Sequence, residues 1–126
     1  MQVTKTIYKT EKVCFKNHFL VGNFKLTPKY QKQVTKINDI EYETKLFITI
    51  TSTPEQPFPI DLEVVFSGTF TFSQIEKEDD IDQFMNVTAI QIMIPLIRTI
   101  VSSVTGSSMI QPLMLPIGDA RQFIDL

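Results

Sequence analysis

The chain has 126 residues, of which 43% are hydrophobic and 21% are charged, a composition typical of globular proteins that excludes a disordered or collagen-like chain. This length predicts a single domain over residues 1–126 with a modest core. The formal net charge is only -2, and phosphate binding needs clustered lysine and arginine, so we expect no nucleic-acid partner.

The N-terminal segment holds the only cysteine and the only histidine of the chain, Cys14 and His18. A helix would place both on one side, but Phe15, Phe19 and Val21 indicate an extended chain. We therefore expect a small buried thiol and a surface imidazole. A lone cysteine forms no internal disulfide and no signal peptide is evident, which favours a reducing, cytoplasmic location.

Three stretches in the first half of the chain predict strands. Residues 24–27 alternate between apolar and polar before a proline, and residues 30–37 are polar and extended. From Tyr42 to Ile50 apolar side chains recur at every second position, which is typical of a sheet with one buried face. The prolines of residues 53–57 end this strand.

The segment from Ile60 to Phe72 is the clearest strand of the sequence. Its apolar residues fall on one face, and Gly68 in the middle predicts a bend or a bulge, because glycine has no side chain to pack. No connection between the predicted strands is long and helical enough for a parallel crossover, so we expect an antiparallel sheet.

A long helix is predicted from Ile81 to Val104, where apolar residues recur at spacings of three and four. Acidic residues precede it and complement the positive end of the helix dipole, and Gly106 is its natural stop. Pro95 predicts a kink or a break. The apolar run 89–104 is shorter than the roughly 20 residues that a bilayer needs, so we expect no membrane insertion.

The C-terminal part predicts little regular structure. Residues 109–118 combine two prolines with apolar side chains, which indicates an extended loop held down by its leucines, and residues 119–126 allow at most two helical turns. Arg98 lies in the predicted helix, and a buried guanidinium needs a carboxylate or carbonyl partner. We expect a nearby carboxylate or a chain end to supply it.

The sequence offers few residues for catalysis. One histidine leaves no metal shell beyond carboxylates, and the four glycines form no phosphate-binding motif. We therefore expect no enzymatic activity, no metal and no cofactor. What the sequence has in excess is apolar surface on the helix and on the long strand. This surplus predicts either burial between identical subunits or an open surface for apolar segments of other proteins.

Two strings resemble the SecB family of export chaperones, and the similarity extends from about Gly22 to Phe123. The first string runs from Leu62 to Glu76 and is similar to the family's long strand. The second, more specific, combines IPLIR at residues 94–98 with the glycine turn at Gly106 and the proline-bracketed loop PLMLPI at residues 112–117.

The resemblance implies an α+β fold, with a four-stranded antiparallel sheet packed on a long kinked helix in one SecB-like domain. It also implies an ATP-independent holdase for protein export, a cytoplasmic tetramer built as a dimer of dimers, that binds unfolded client polypeptides in apolar grooves. Carried over position by position, the client-binding residues are Phe24, Leu26, Ile60, Leu62, Val64, Phe66, Phe70, Leu113 and Leu115.

The resemblance leaves the partner open. Docking to the SecA motor in this family uses an acidic sheet face, for which Asp61 and Glu63 are the matching or nearby positions. However, the N-terminal segment of this chain carries lysines where the family is acidic. The alternatives are a SecB-like chaperone dedicated to an antitoxin of a toxin-antitoxin system, and an oligomeric assembly protein that is not a chaperone.

Overall fold

The structure is a computed structural model that describes residues 1–108 and 111–126. A five-stranded sheet, in the order β1-β4-β3-β2-β5, carries a long helix on one face. The strands are β1 (Val3–Asn17), β2 (Lys29–Lys36), β3 (Glu41–Ile50), β4 (Ile60–Phe72) and β5 (Ile124–Asp125). The α+β class is confirmed, but the sheet is mixed and has five strands rather than four, because β5 pairs with β2 in parallel.

The helical region contains α1 (Glu78–Gln83), a π-helical turn (Phe84–Thr88) and α2 (Ala89–Ser107). It begins three residues before the predicted start and ends beside Gly106, as predicted. Helix α2 continues through Pro95 without a break, and a further irregularity, the π-helical turn, lies directly before it.

After α2 the chain returns along the helix. We call residues 111–122 the return segment; it has no regular secondary structure up to Asp119 and ends in a 3-10 turn at Ala120–Gln122. The predicted loop is thus confirmed for residues 111–118, while its first residues, Met109 and Ile110, lie outside the described residues.

The N-terminal part differs most from the prediction. Strand β1 has 15 residues and pairs antiparallel with β4 along its whole length, whereas the predicted strand at residues 24–27 does not form. Both edges of β4 are taken by β1 and β3, and β2 lies between β3 and β5. Residues 24–27 therefore find no free central edge, and two alternating apolar residues are too few to hold a strand by themselves.

The core lies between α2 and one face of β3 and β4. The apolar side chains of alternate positions in both strands are buried there, as the period-two pattern predicts. The helix contributes Ile90, Met93, Ile94, Ile97 and Val101. Strand β1 extends beyond the cover of the helix, and its residues are mostly exposed.

Gly68 does not form the predicted bulge. Strand β4 keeps its register with β3 through this residue, and the register shifts of the β1–β4 pair lie between Val3 and Lys5 and between Thr10 and Lys12 of β1. Gly68 instead allows the helix to approach, since a Cβ atom here would lie 3.0 Å from Met93 Sδ.

We expect Gly68→Ala to lower the free energy of unfolding by about 1–3 kcal/mol, because the added methyl group overpacks the contact between sheet and helix. It would also lie 3.1 Å from Phe70 Cε1 and 3.2 Å from Tyr8 Cδ1. Gly118→Ala is the matched control, because a Cβ at Gly118 meets nothing within 4 Å. Urea unfolding measures both, and equal midpoints for the two variants would contradict the prediction.

Tyr30 gives a prediction about alkaline pH. Its ring packs on Phe123 with centroids 5.3 Å apart, and its buried hydroxyl makes no hydrogen bond within the described residues. Burial raises the pKa of Tyr30 from 10.0 to about 12, against a smaller opposing effect of Arg98. The unfolded chain thus ionises first, so the stability contribution is present below pH 10 and is lost as pH rises towards 12.

Tyr30→Phe removes both the titration and a buried hydroxyl without a partner. We expect the variant to be more stable than the wild type by about 1 kcal/mol at pH 7. The difference in unfolding free energy should grow by roughly 2 kcal/mol between pH 10 and pH 12. Urea titrations at each pH measure it, and a difference that does not change with pH would contradict this account of Tyr30.

Within the described residues one helix, Glu78–Ser107, is long and apolar enough to cross a membrane. The apolar run 89–104 was too short for a membrane span, which was the reason to expect none. The helix has 30 residues, so its length does not exclude a span. Its inner face packs against the sheet through fully buried side chains such as Ile90, Met93 and Ile97. This packing favours the core helix of a globular domain, which passes the same test.

Candidate functional site

An open apolar cleft lies at the end of the sheet where β1 stops and β4 starts. Asn17 and Ile60 pair there, and the backbone N–H of His18 donates to the carbonyl of Pro59 at 2.8 Å, which fixes the two chain segments together. The return segment supplies the opposite wall. We call this cleft of about 460 Å³ the apolar groove; it is lined by Asn17, Phe19, Leu20, Val21, Phe58, Pro59, Ile60, Gln111 and Leu113.

The lining of the groove is apolar and largely open to solvent. Phe19 is 83% exposed and Val21 is 97% exposed, although both are large hydrophobic residues. The volume falls in the range of about 300–1,000 Å³ that is typical of ligand sites. Contact between apolar surface and water is unfavourable, so this surface is suited to being covered by apolar groups from another molecule.

Phe19 also has an unusual backbone conformation. Its φ is 57°, in the left-handed region that costs a residue with a Cβ about 1–2 kcal/mol. The side chain of Asn17 supports this conformation, because its Oδ1 accepts the backbone N–H of Phe19 at 2.8 Å. A strained, exposed aromatic residue at the mouth of a cleft indicates a functional role rather than a packing role.

The structure separates the predicted client-binding residues into two groups. Ile60 and Leu113 line the groove together, and Phe24 and Leu26 lie half-buried in the loop after it. The other predicted residues are buried in the core of the chain: Leu62, Val64, Phe66, Phe70 and Leu115. Phe24, Leu26 and Leu113 are therefore accessible from solvent on the chain as it stands, whereas Ile60, although it lies at the groove, is as buried as the second group at 2% exposure.

The sequence prediction missed the segment Phe19-Leu20-Val21 and the residue Phe58. The available signal was the three consecutive apolar residues directly before Gly22, whose φ of 139° turns the chain away from the sheet. Apolar residues that continue past the end of a strand into a turn have no place in the core, and this marks them as candidates for binding.

The outer face of the sheet carries paired charges. Glu63 accepts a hydrogen bond from Lys12 Nζ at 3.0 Å. His18 Nε2 lies 2.9 Å from Asp61 Oδ2, but the angle between the two groups is too poor for a hydrogen bond. The backbone N–H of Ser52 bonds Asp61 at 2.7 Å and is the main cause that lowers the pKa of this carboxyl. His18 is thus a half-buried partner of Asp61 rather than a free surface imidazole.

Cys14 is exposed on β1, so the expectation of a buried thiol was wrong. The side chains of an edge strand that no helix covers point to solvent on both faces, and the strand had not been predicted there.

Arg98 also differs from its prediction. Its guanidinium donates to the backbone carbonyl of Ile117, and neither a carboxylate nor a chain end among the described residues takes this place.

Two further apolar surfaces are exposed. On the outer face of α2, Ile92 is 44% and Leu96 is 39% exposed. On β1, Tyr8 and Val13 are partly exposed, and the outer edge of this strand has no strand partner among the described residues. Unpaired edges and apolar helix faces of this kind are surfaces on which another chain can pair or pack.

A profile of the family described as preprotein translocase subunit SecB matches residues 20–121, which is more than half of the chain. This chain belongs to the SecB family. Membership supports a chaperone function, and the resemblance found in the sequence is confirmed. No curated protein gives a significant sequence match.

Two solved structures resemble this SecB-family chain. The Mycobacterium tuberculosis SecB-like chaperone Rv1957, solved in complex with a ChAD peptide from the HigA1 antitoxin, has a TM-score of 0.73 at 14% identity. The match covers 92% of this chain and 88% of that chain, and it shows that the SecB-like fold is shared. A Streptococcus agalactiae protein of unknown function has a TM-score of 0.42 at 9% identity and covers 93% of this chain and 100% of that chain.

Proposed function

We propose that this SecB-family chain is an ATP-independent holdase that binds extended apolar segments of unfolded polypeptides in the apolar groove. The observation that carries the proposal is the open cleft itself, with Phe19, Leu20 and Val21 exposed at its mouth and Ile60 and Leu113 in its walls. A folded protein hides its apolar side chains, whereas an unfolded chain presents them, so such a groove selects the unfolded state.

The expected affinity is modest. If a client segment covers about 400 Å² of apolar surface, the gross gain is roughly 10 kcal/mol at ~25 cal/mol per Å². Association and ordering of a flexible chain cost about 4–15 kcal/mol, which leaves binding in the micromolar range or weaker for one groove. Several grooves on one oligomer would raise the overall affinity for a long client through multivalency.

We propose that the chain forms a cytoplasmic tetramer built as a dimer of dimers, and the exposed apolar surfaces support the oligomer. We infer that the free edge of β1, with Tyr8 and Val13 beside it, makes one contact between copies. The outer face of α2, with Ile92 and Leu96, makes the other. Static light scattering tests this, because the monomer mass is 14.5 kDa. A stable monomer at micromolar concentration would overturn it.

Two kinds of client remain candidates, export clients handed to a SecA motor and a dedicated antitoxin. Asp61 and Glu63 are the proposed docking residues for the motor, but the Glu63 carboxylate is already paired with Lys12, and His18 lies against Asp61. Neither carboxylate is thus free of a neighbouring side chain. Together with the fold shared with the antitoxin-bound mycobacterial chaperone, this favours the antitoxin as the second candidate function.

The experiment that tests the holdase is the aggregation of an unrelated unfolded protein without ATP, followed by light scattering. We expect substoichiometric tetramer to delay aggregation. No delay at any ratio would overturn the proposal and would favour the third alternative, an assembly protein that uses its apolar surfaces only for its own oligomer. If only one partner protein is protected, the dedicated chaperone is supported over the general holdase.

A further inference from the structure

One face of α2 carries a row of polar side chains spaced seven residues apart, which is close to two helical turns. Each of them binds a backbone group of the return segment. Gln91 Oε1 accepts the N–H of Ala120 at 2.8 Å, Arg98 donates to the carbonyl of Ile117, and Thr105 Oγ1 accepts the N–H of Leu113 at 2.8 Å. The order is reversed along the two segments, so the return segment runs antiparallel to the helix.

Thr105 is the member of this row that binds a groove residue, Leu113. Its side chain is fully buried, and its hydroxyl donates back to the carbonyl of Val101 at 2.9 Å. With the hydroxyl proton directed at the helix, the oxygen lone pairs face the return segment and accept the amide of Leu113. The orientation of the acceptor is thus set by the helix itself.

The next residue brings the two backbones together. A Cβ atom on Gly106 would lie 3.3 Å from Pro112 Cγ, so the absence of a side chain lets Pro112 pack directly on the helix end. Beyond it, Leu113 turns its amide to Thr105 while its side chain lines the groove, and Leu115 is buried in the core. Of these two leucines, only Leu113 is open to a client. The hydrogen bond to Thr105 therefore fixes the leucine that a client can touch.

We propose that Thr105 is a positioning residue for client binding, which holds Leu113 in place as a preformed wall of the apolar groove. The proposal rests on the proposed holdase function. A ligand that needs one conformation binds in proportion to the fraction of molecules that hold it. If the bond is lost, Leu113 samples other positions, and the apparent affinity for apolar peptides falls although no side chain in the groove has changed.

The experiment compares Thr105→Val, Thr105→Ser and Gln91→Met in the full chain, using a fluorescein-labelled extended peptide rich in leucine and phenylalanine. Fluorescence anisotropy gives the Kd. We expect Thr105→Val to weaken binding about tenfold, which corresponds to ~1.4 kcal/mol. Thr105→Ser keeps the acceptor and should restore the Kd to within about twofold of the wild type.

Gln91→Met is the matched control. It removes the acceptor for Ala120 at the far end of the same row, with a side chain of similar shape, and leaves the groove untouched. We expect a loss of stability without a change in Kd. Equal weakening by Gln91→Met and Thr105→Val would overturn the proposal, because the effect would then be one of general stability.

The outcomes separate the two proposals. Wild-type protein that binds no peptide would overturn the holdase function, and with it this role of Thr105. Wild-type binding with an unchanged Kd for Thr105→Val would overturn only the positioning role. If Thr105→Val fails to fold, hydrogen exchange of the wild type decides: the Leu113 amide should be protected, and exchange as fast as that of a solvent-exposed amide would overturn the proposal.

Discussion

Phe66→Ser is expected to lower the free energy of unfolding by about 3–5 kcal/mol, a large part of the ~5–15 kcal/mol that stabilises a domain. Phe66 is only 4% exposed, on the face of β4 that the helix covers, and its ring stacks on Tyr8 with centroids 6.0 Å apart. Serine leaves a cavity there and buries a hydroxyl. Urea unfolding followed by circular dichroism measures the loss.

Leu113→Ser is the matched comparison, because the resemblance to the family assigns both residues to client binding. Leu113 is half-buried at the groove, so we expect a loss of stability of no more than about 2 kcal/mol, with an intact oligomer and weaker peptide binding. A Phe66→Ser variant as stable as the wild type but defective in binding would show instead that clients reach the helix-covered face of the sheet.

The parts of the fold that the sequence predicts well are those in which one face is buried. Strands β3 and β4 alternate with period two, and the helix repeats at three and four, because each packs one side against the other. Gly106 marks the helix end within one residue, since glycine tolerates the conformations that stop a helix.

Strand β1 could not be predicted in the same way. It lies at the edge of the sheet, beyond the cover of the helix, and most of its residues are exposed on both faces. Without a buried face the sequence has no reason to alternate, and threonine and lysine dominate it. What holds this strand is the backbone ladder to β4 together with a few side-chain contacts, such as Tyr8 on Phe66 and Lys12 with Glu63.

The candidate site shows the corresponding limit. Alternation along β4 gives Ile60 and Phe70 the same pattern and both are 2% exposed, but only Ile60 lies at the end of the sheet beside the groove. The difference depends on where the helix and the return segment end, which is a tertiary property. The groove residues with a signal of their own are those outside any periodic pattern, Phe19 to Val21.

Phe19→Asn is expected to weaken peptide binding at least tenfold while making the chain more stable by about 1 kcal/mol. Asparagine adopts the left-handed conformation more readily than other residues with a side chain, so it relieves the strain at φ 57°. The ring it removes is 83% exposed and packs on little of its own chain, so the folded state loses few contacts.

The loss of binding follows from the apolar area that the ring offers to a client. A phenylalanine buries about 150–250 Å² when fully covered, worth several kcal/mol at ~25 cal/mol per Å², and covering a part of it suffices for a tenfold effect. A gain in stability together with a loss of binding would show that the strain at Phe19 is maintained for function. If Phe19 served folding alone, its substitution would not raise stability while lowering binding.

Val21→Asn is the matched control for this prediction. Val21 lines the same groove and is 97% exposed, but its φ lies outside the positive region. The same substitution there removes apolar surface without relieving strain, so we expect weaker binding and no gain in stability. Peptide anisotropy and urea unfolding on the two variants give four values. A Phe19→Asn variant that is less stable than the wild type would show that the ring serves packing, and the assignment of Phe19 to the client site would fall.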